Sequence, residues 1–123
     1  GLTIKNSGIS YLEDNAGIRL EEVTRCKISN NRFINNFFSI YVAKSFDCIV
    51  ENNFIEGLKG RETNSGNGIH LWYCRDITIN NNNISNHRDG IYFEFVRNGR
   101  ISNNDSKNNI RYGVHFMFSD SCE

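Results

Sequence analysis

The chain has 123 residues, enough for one domain, and its 14 basic and 14 acidic side chains leave a net charge of zero. That balance argues against nucleic acid or an anionic membrane surface as a partner, and no apolar run reaches the roughly 18 residues of a membrane span. Proline is absent, asparagine is in excess at 20 residues, and nothing in the segment resembles a signal peptide.

Taken from its start, the chain repeats itself. Leu2, Ile4, Asn6 and Ile9 open with an apolar-and-asparagine spacing that returns downstream. Gly17–Asn31 reads GIRLEEVTRCKISNN, and Ser39–Asn53, Gly68–Asn82 and Gly90–Asn104 are written to the same plan. A further copy begins at Gly113 and stops with the chain. The starts at 17, 39, 68, 90 and 113 are spaced by 22, 29, 22 and 23 residues, a period that marks a solenoid.

Counting each start as position 0, position +1 holds Ile18, Ile40, Ile69, Ile91 and Val114, and +3 holds Leu20, Val42, Leu71, Phe93 and Phe116. Position +11 holds Ile28, Val50, Ile79 and Ile101; +16 holds Phe33, Ile55, Ile84 and the exception Ser106. Apolar residues two apart on short segments read as strands, and no copy contains a helix-length amphipathic run. Each coil of about 22 residues therefore predicts three short strands, and stacked coils pair like strands in parallel, roughly 4.8 Å apart. The fold predicted is all-β, a parallel β-helix with the apolar columns inside. Asn30, Asn52, Asn81 and Asn103 form one turn column, and Asn31, Asn53, Asn82 and Asn104 its neighbour. Asparagine suits tight turns, and stacked amides can bond along the axis as a ladder. With five leucines in all, the chain lacks the leucine columns of the other solenoid with an asparagine ladder.

Leu2, Ile4, Asn6 and Ile9 fit positions +9, +11, +13 and +16 of a coil whose start precedes Gly1. Neither end shows the polar cap of a finished solenoid. Residues 1–123 thus read as a single β-helix domain of about five coils and a piece of a longer one. The interruption at residues 57–67, GLKGRETNSGN, is a loop inserted into the tube.

If +1 and +3 face inward, +2 and +4 face outward. Position +2 is Arg19, Tyr41, His70, Tyr92 and His115; +4 is Glu21, Ala43, Trp72, Glu94 and Met117. The ligand face this predicts is His70, Trp72, Tyr92, Glu94, His115 and Met117. Three readings of it compete: a sugar platform, a soft-metal site, or a surface covered by another part of the protein. His115 and Met117 are two apart on one strand, and imidazole with thioether suits copper, Cu(I) above all. Glu94 is the best single carboxylate for catalysis, but hydrolysis would need a second group at working distance. Asp76, Asp89 and Asp120 lie toward turns, where Asp is a hydrogen-bonder. Cys26, Cys48 and Cys122 share inward position +9 as small hydrophobes, while Cys74 falls in a turn. No zinc spacing occurs.

Two stretches, Arg88–Phe95 (RDGIYFEF) and Arg111–Asp120 (RYGVHFMFSD), resemble the NosD family, most clearly over Gly68 to Cys122. The resemblance implies a right-handed parallel β-helix in the periplasm. It implies a non-enzymatic role in supplying copper for maturation of nitrous oxide reductase, with ABC-type transporter subunits and a copper enzyme or carrier as partners. The positions it carries over are Tyr92, Glu94, His115, Met117 and Ser119. The fold is also similar to that of alginate epimerases, but their acidic, histidine-containing run after Tyr-Gly is here His115-Phe116-Met117-Phe118. The alternative function is therefore a β-helix that binds or modifies carbohydrate, as lyases, epimerases and hydrolases do, with a polysaccharide as partner.

Overall fold

The structure, a computed structural model, describes residues 1–8, 14–60 and 62–123. Fourteen strands follow one another: β1 Thr3–Lys5, β2 Ala16–Glu21, β3 Lys27–Ser29, β4 Arg32–Ile34, β5 Phe38–Ala43, β6 Phe46–Glu51 and β7 Phe54–Glu56. Then come β8 Ile69–Trp72, β9 Arg75–Asn80, β10 Asn83–Ser85, β11 Asp89–Glu94, β12 Arg97–Ser102, β13 Asp105–Lys107 and β14 Tyr112–Met117. Every third strand joins the same sheet. The orders are β1-β4-β7-β10-β13, β14-β11-β8-β5-β2 and β12-β9-β6-β3. All pairings are parallel, and from Gly17 onward they keep the register read from the repeats: Ile18, Ile40, Ile69, Ile91 and Val114 align, as do Leu20, Val42, Leu71, Phe93 and Phe116. The chain is a parallel β-helix.

The inner columns make one core, with Phe33, Ile40, Ile55, Ile69, Leu71, Ile79, Ile84, Ile91 and Phe93 all at 0% exposure. Its packing compensates between columns. Position +9 holds Cys48 and Ile77, then Gly99, and a Cβ at Gly99 would lie 2.5 Å from Phe93 Cε2. The large Phe93 takes the space that Gly99 leaves. Gly99→Ile should therefore cost about 1–3 kcal/mol by overpacking, and adding Phe93→Leu should recover most of it by restoring the Leu71/Ile77 combination of the coil below. Denaturant midpoints of the two single variants and the double variant check this; simple additivity would refute the compensation.

Four residues in left-handed backbone recur per coil, three at its corners and one inside the strand that follows the first of them. In the coil from Gly68 they are Tyr73, Asp76, Asn81 and Asn86, with φ of 52°, 55°, 53° and 59°. In the next they are Phe95, Asn98, Asn103 and Asn108. Asn and Asp tolerate this region, which explains much of the asparagine excess. The neighbouring column carries the ladder. Asn31 N–H donates to Asn53 Oδ1 at 3.0 Å, and Asn53 N–H and Nδ2 donate to Asn82 Oδ1 at 3.0 Å. Asn82 N–H and Nδ2 donate to Asn104 Oδ1 at 2.8 and 3.0 Å.

The structure corrects the first coil. Ile4 pairs with Phe33, at position +16 and not +11, and Leu2 is 67% exposed beside Asn31 instead of lying inward. Asn6 occupies the Asn35 corner; Ile9 lies outside the described residues. Both corners follow an apolar residue by two, as in Ile28-Ser29-Asn30 and Phe33-Ile34-Asn35, so one isolated copy fits either register. The new register reveals a second insertion. Ile4 to Phe33 spans 29 residues, as does Ile55 to Ile84, whereas Phe33 to Ile55 spans 22. Both seven-residue excesses fall between strands of the same two sheets, β1 and β2 in one case and β7 and β8 in the other.

Candidate functional site

The outer face of the β2-β5-β8-β11-β14 sheet carries the predicted stripe in the predicted register. Arg19, Tyr41, His70, Tyr92 and His115 align, and so do Glu21, Ala43, Trp72, Glu94 and Met117. The rings form a continuous column: Tyr41–His70, His70–Tyr92 and Tyr92–His115 centroids are 4.9, 4.8 and 5.0 Å apart. Much of the stripe is not exposed. Tyr41 and Tyr92 are 9% and 7% accessible, because adjacent rings cover one another and Phe37 and Phe38 pack against Tyr41 and Ala43. His70 is half-buried, its Nδ1 taking a hydrogen bond from Asn67 Nδ2 at 3.0 Å. Burial, helped by the nearby Arg88 charge, pushes the His70 imidazole down to about 4.

A third column joins this face and was not foreseen. Phe38 and Asp89 stand in register at position −1 with Ala16 and Tyr112. Simple alternation from +2 would turn −1 inward. Position 0 breaks the alternation: Ser39, at 0% exposure, faces the tube beside the inward Ile40, and a Cβ on Gly90 would run into Ser106, Gly113 and Asn109. The repeated glycine is the signal that two successive positions point inward, returning −1 to the outer face. Asp89 is thus a strand residue, completely buried, and not a turn residue as its sequence context suggested.

Asp89 organises the top of the face. Arg111 clasps it with two bonds, Nε to Oδ1 at 3.1 Å and Nη2 to Oδ2 at 2.9 Å, and also reaches Glu62 of the inserted loop at 3.3 Å. His115 Nδ1 lies 3.2 Å from Asp89 Oδ2. Burial raises the carboxyl pKa, but the bonds from Arg111 and His115 and the charges of Arg111 and Arg88 outweigh it, leaving Asp89 below its ordinary value. An ionised carboxylate only accepts, so the imidazole proton sits on Nδ1, and the lone pair on Nε2 is free. Arg111 Nη2 is also 3.5 Å from Nδ1, but a donor cannot use a protonated nitrogen. Beside them, the Tyr92 hydroxyl donates to Met117 Sδ at 3.1 Å. His115 and Met117 therefore share one face, each held by a neighbour.

The other predicted residues divide. Glu94 is half-buried in register with Trp72 and Met117, with no carboxylate next to it in its column. Ser119 turns to the corner, accepting from Val96 N–H at 3.0 Å and donating to Met117 O at 3.1 Å. Cys74 lies in the turn between β8 and β9 as read, but its side chain points into the core at 3% exposure, aligned with Ser45 and Val96 at position +6. Cys26, Cys48 and Cys122 line the core as read, and all four thiols are free. Among the described residues no three His, Cys, Asp or Glu side chains are placed to hold a metal ion. His87, missed in the sequence, is 1% exposed: Ser39 Oγ lies 3.0 Å from its Nε2, and its Nδ1 donates to Gly66 O at 3.1 Å. It pins the inserted loop to the coil, and burial drives it down to about 4. No helix among the described residues is long and apolar enough to cross a membrane.

The family model described as a right handed beta helix region matches residues 1–123. Among curated proteins, a probable ABC transporter binding protein NosD of Stutzerimonas stutzeri is 37% identical over 78 residues, covering 63% of this chain and 18% of that protein. The match thus takes in less than a fifth of the relative's length. No solved structure matches.

Proposed function

The chain belongs to the right-handed β-helix family, and we propose that it is a non-enzymatic, NosD-like module that handles Cu(I) outside the cytoplasmic membrane for the maturation of a copper enzyme such as nitrous oxide reductase. The similarity to NosD carries this reading, and the arrangement around His115 supports it. Partners of the ABC-transporter type and a copper carrier or enzyme belong to the same proposal.

Two soft or borderline donors suit Cu(I), the imidazole nitrogen and the thioether sulfur. His115 offers Nε2 because Asp89 holds the proton on Nδ1, the usual device by which a carboxylate orients a metal-binding histidine. Tyr92 uses one lone pair of Met117 Sδ and holds the sulfur in place, leaving the other for the ion. Copper is cargo here, and a small donor set suits an ion that must also leave.

Titration of Cu(I) against a competing chelator tests the proposal. One ion per chain is expected, with His115→Ala and Met117→Ala each abolishing saturable binding. Asp89→Asn should weaken it about 10–100-fold and shift the His115 tautomer seen by nitrogen-15 NMR. Affinity no greater than that of the double alanine variant would remove copper from this face.

A further inference from the structure

A second surface lies around the corner from the copper face. Tyr73, Phe95 and Phe118 occupy the same corner of three successive coils, with φ of 52°, 54° and 50°. This region is sparsely populated by bulky side chains, and at the other corners the chain mostly uses Asn or Asp. Here it builds a ladder of rings instead: Tyr73–Phe95 and Phe95–Phe118 centroids are 4.5 and 5.1 Å apart, with planes within 13° and 17°. Tyr73 is 51% and Phe95 37% exposed. The ladder forms one wall of an open groove of about 510 Å³, floored by Cys74 and Val96.

The opposite wall is cationic. Arg75 and Arg97 line it in register with Phe46 and with Asp120, the one carboxylate lining the groove, and Lys44 stands at the end of the ring column across from them. Arg75 lies flat over Phe46 at 4.5 Å. The arginines pair with Asp76 and Asp120 at 3.3 and 3.4 Å, but these side chains are 41–73% exposed. Such pairs contribute little and exchange readily for a carboxylate brought by a ligand. The rings stack face to face, so between them they offer edges and not faces. Edges carry the positive part of the ring quadrupole, which suits apolar side chains and carboxylates and denies a sugar ring its stacking plane.

We propose that this groove docks an extended acidic peptide segment of a partner protein, its carboxylates meeting Arg75 and Arg97 and its apolar side chains lying against the edges of Tyr73, Phe95 and Phe118. The proposal is independent of copper, and its test needs none. The probes are a blocked nonapeptide of alternating Glu and Leu and its Lys–Leu counterpart, added to the 123-residue chain. Amide chemical shifts and the fluorescence of Trp72, whose ring lies 4.8 Å from Tyr73, report binding. The Glu–Leu peptide should bind saturably and the Lys–Leu peptide should not. Arg75→Glu with Arg97→Glu should weaken binding about tenfold or more, since each tenfold corresponds to about 1.4 kcal/mol. Phe95→Asn should abolish it with circular dichroism unchanged, because Asn accepts this backbone. No binding, equal binding of both peptides, or affinity that survives both variants overturns the proposal. So does saturable binding of an oligogalacturonate at the same residues, or self-association lost in Phe95→Asn, which would assign the groove to a sugar or to a second copy.

Discussion

Replacing Asn82 by leucine is expected to destabilise the fold by about 3–5 kcal/mol, a large share of the roughly 5–15 kcal/mol that holds a typical domain together. Asn82 is 2% exposed, and its amide meets five groups, one of them Asn80 O, to which its nitrogen donates at 3.1 Å. Its oxygen accepts from both the main-chain and side-chain nitrogens of Asn53, and its nitrogen donates to Val50 O at 3.0 Å and to Asn104 Oδ1 at 3.0 Å. Leucine keeps the branched skeleton and puts methyl groups where the amide has its oxygen and nitrogen, so the lost hydrogen bonds dominate the cost. Asn53 is itself buried and would be left with two unpaired donors, each costing about 1–3 kcal/mol. The neighbour Asn52 provides the contrast. It is exposed and serves the corner through its φ of 56°, so Asn52→Ala should cost only about 1–2 kcal/mol. Urea midpoints of the two variants decide the matter. Equal losses would mean that the column is a set of independent turns and not a connected ladder.

Acid is expected to loosen the tube well before its carboxylates titrate. Folded His87 takes a proton only near pH 4, whereas the unfolded side chain does so at its ordinary 6.5. Between those values the unfolded state binds more protons, so stability falls as pH falls. His87 alone should remove about 3 kcal/mol over that window, at about 1.4 kcal/mol per pKa unit. His70 shifts in the same direction, also to about 4, but its partial exposure reduces its share. Asp89 acts in a lower range. Its depressed pKa is a source of stability above the ordinary carboxyl value that is lost as pH falls further. Urea midpoints at pH 7, 5.5 and 4.5 should decline in the wild type and flatten in His87→Gln. A flat wild-type profile would show that the buried Ser39–His87–Gly66 contact opens freely to water.

Periodicity made the fold legible. Columns of apolar residues at +1, +3, +11 and +16 and the paired asparagines specify parallel register wherever a full repeat is present. The register failed in the first coil, where Ile4-Lys5-Asn6 satisfies two corners equally. The site was legible only by half. His115, Met117 and Tyr92 follow from alternation, but Asp89 and Arg111 do not. Asp89 reaches the face because position 0 and its neighbour both turn inward, a parity break that alternation cannot foresee. The burial of Tyr41 and Tyr92 also escaped the sequence, since it arises from ring-on-ring cover between coils. His87 gave no signal at all, standing where two other coils carry Asn36 and Asn109.

The two seven-residue excesses have a consequence for how such a chain can grow. Both depart from the seam between the β1-β4-β7-β10-β13 and β14-β11-β8-β5-β2 sheets, two coils apart, and the strands on either side keep their partners. The other two corners are tight, as in Tyr73-Cys74 and Asn81-Asn82, with one residue of each in fixed left-handed geometry. That seam therefore works as a splice point, where new sequence enters without changing the phase of the coils stacked beyond it. A peptide tag or a reporter domain grafted between residues 57 and 67 should leave the ring column and the groove in step. The same graft at the Asn81 corner should throw every later coil out of frame.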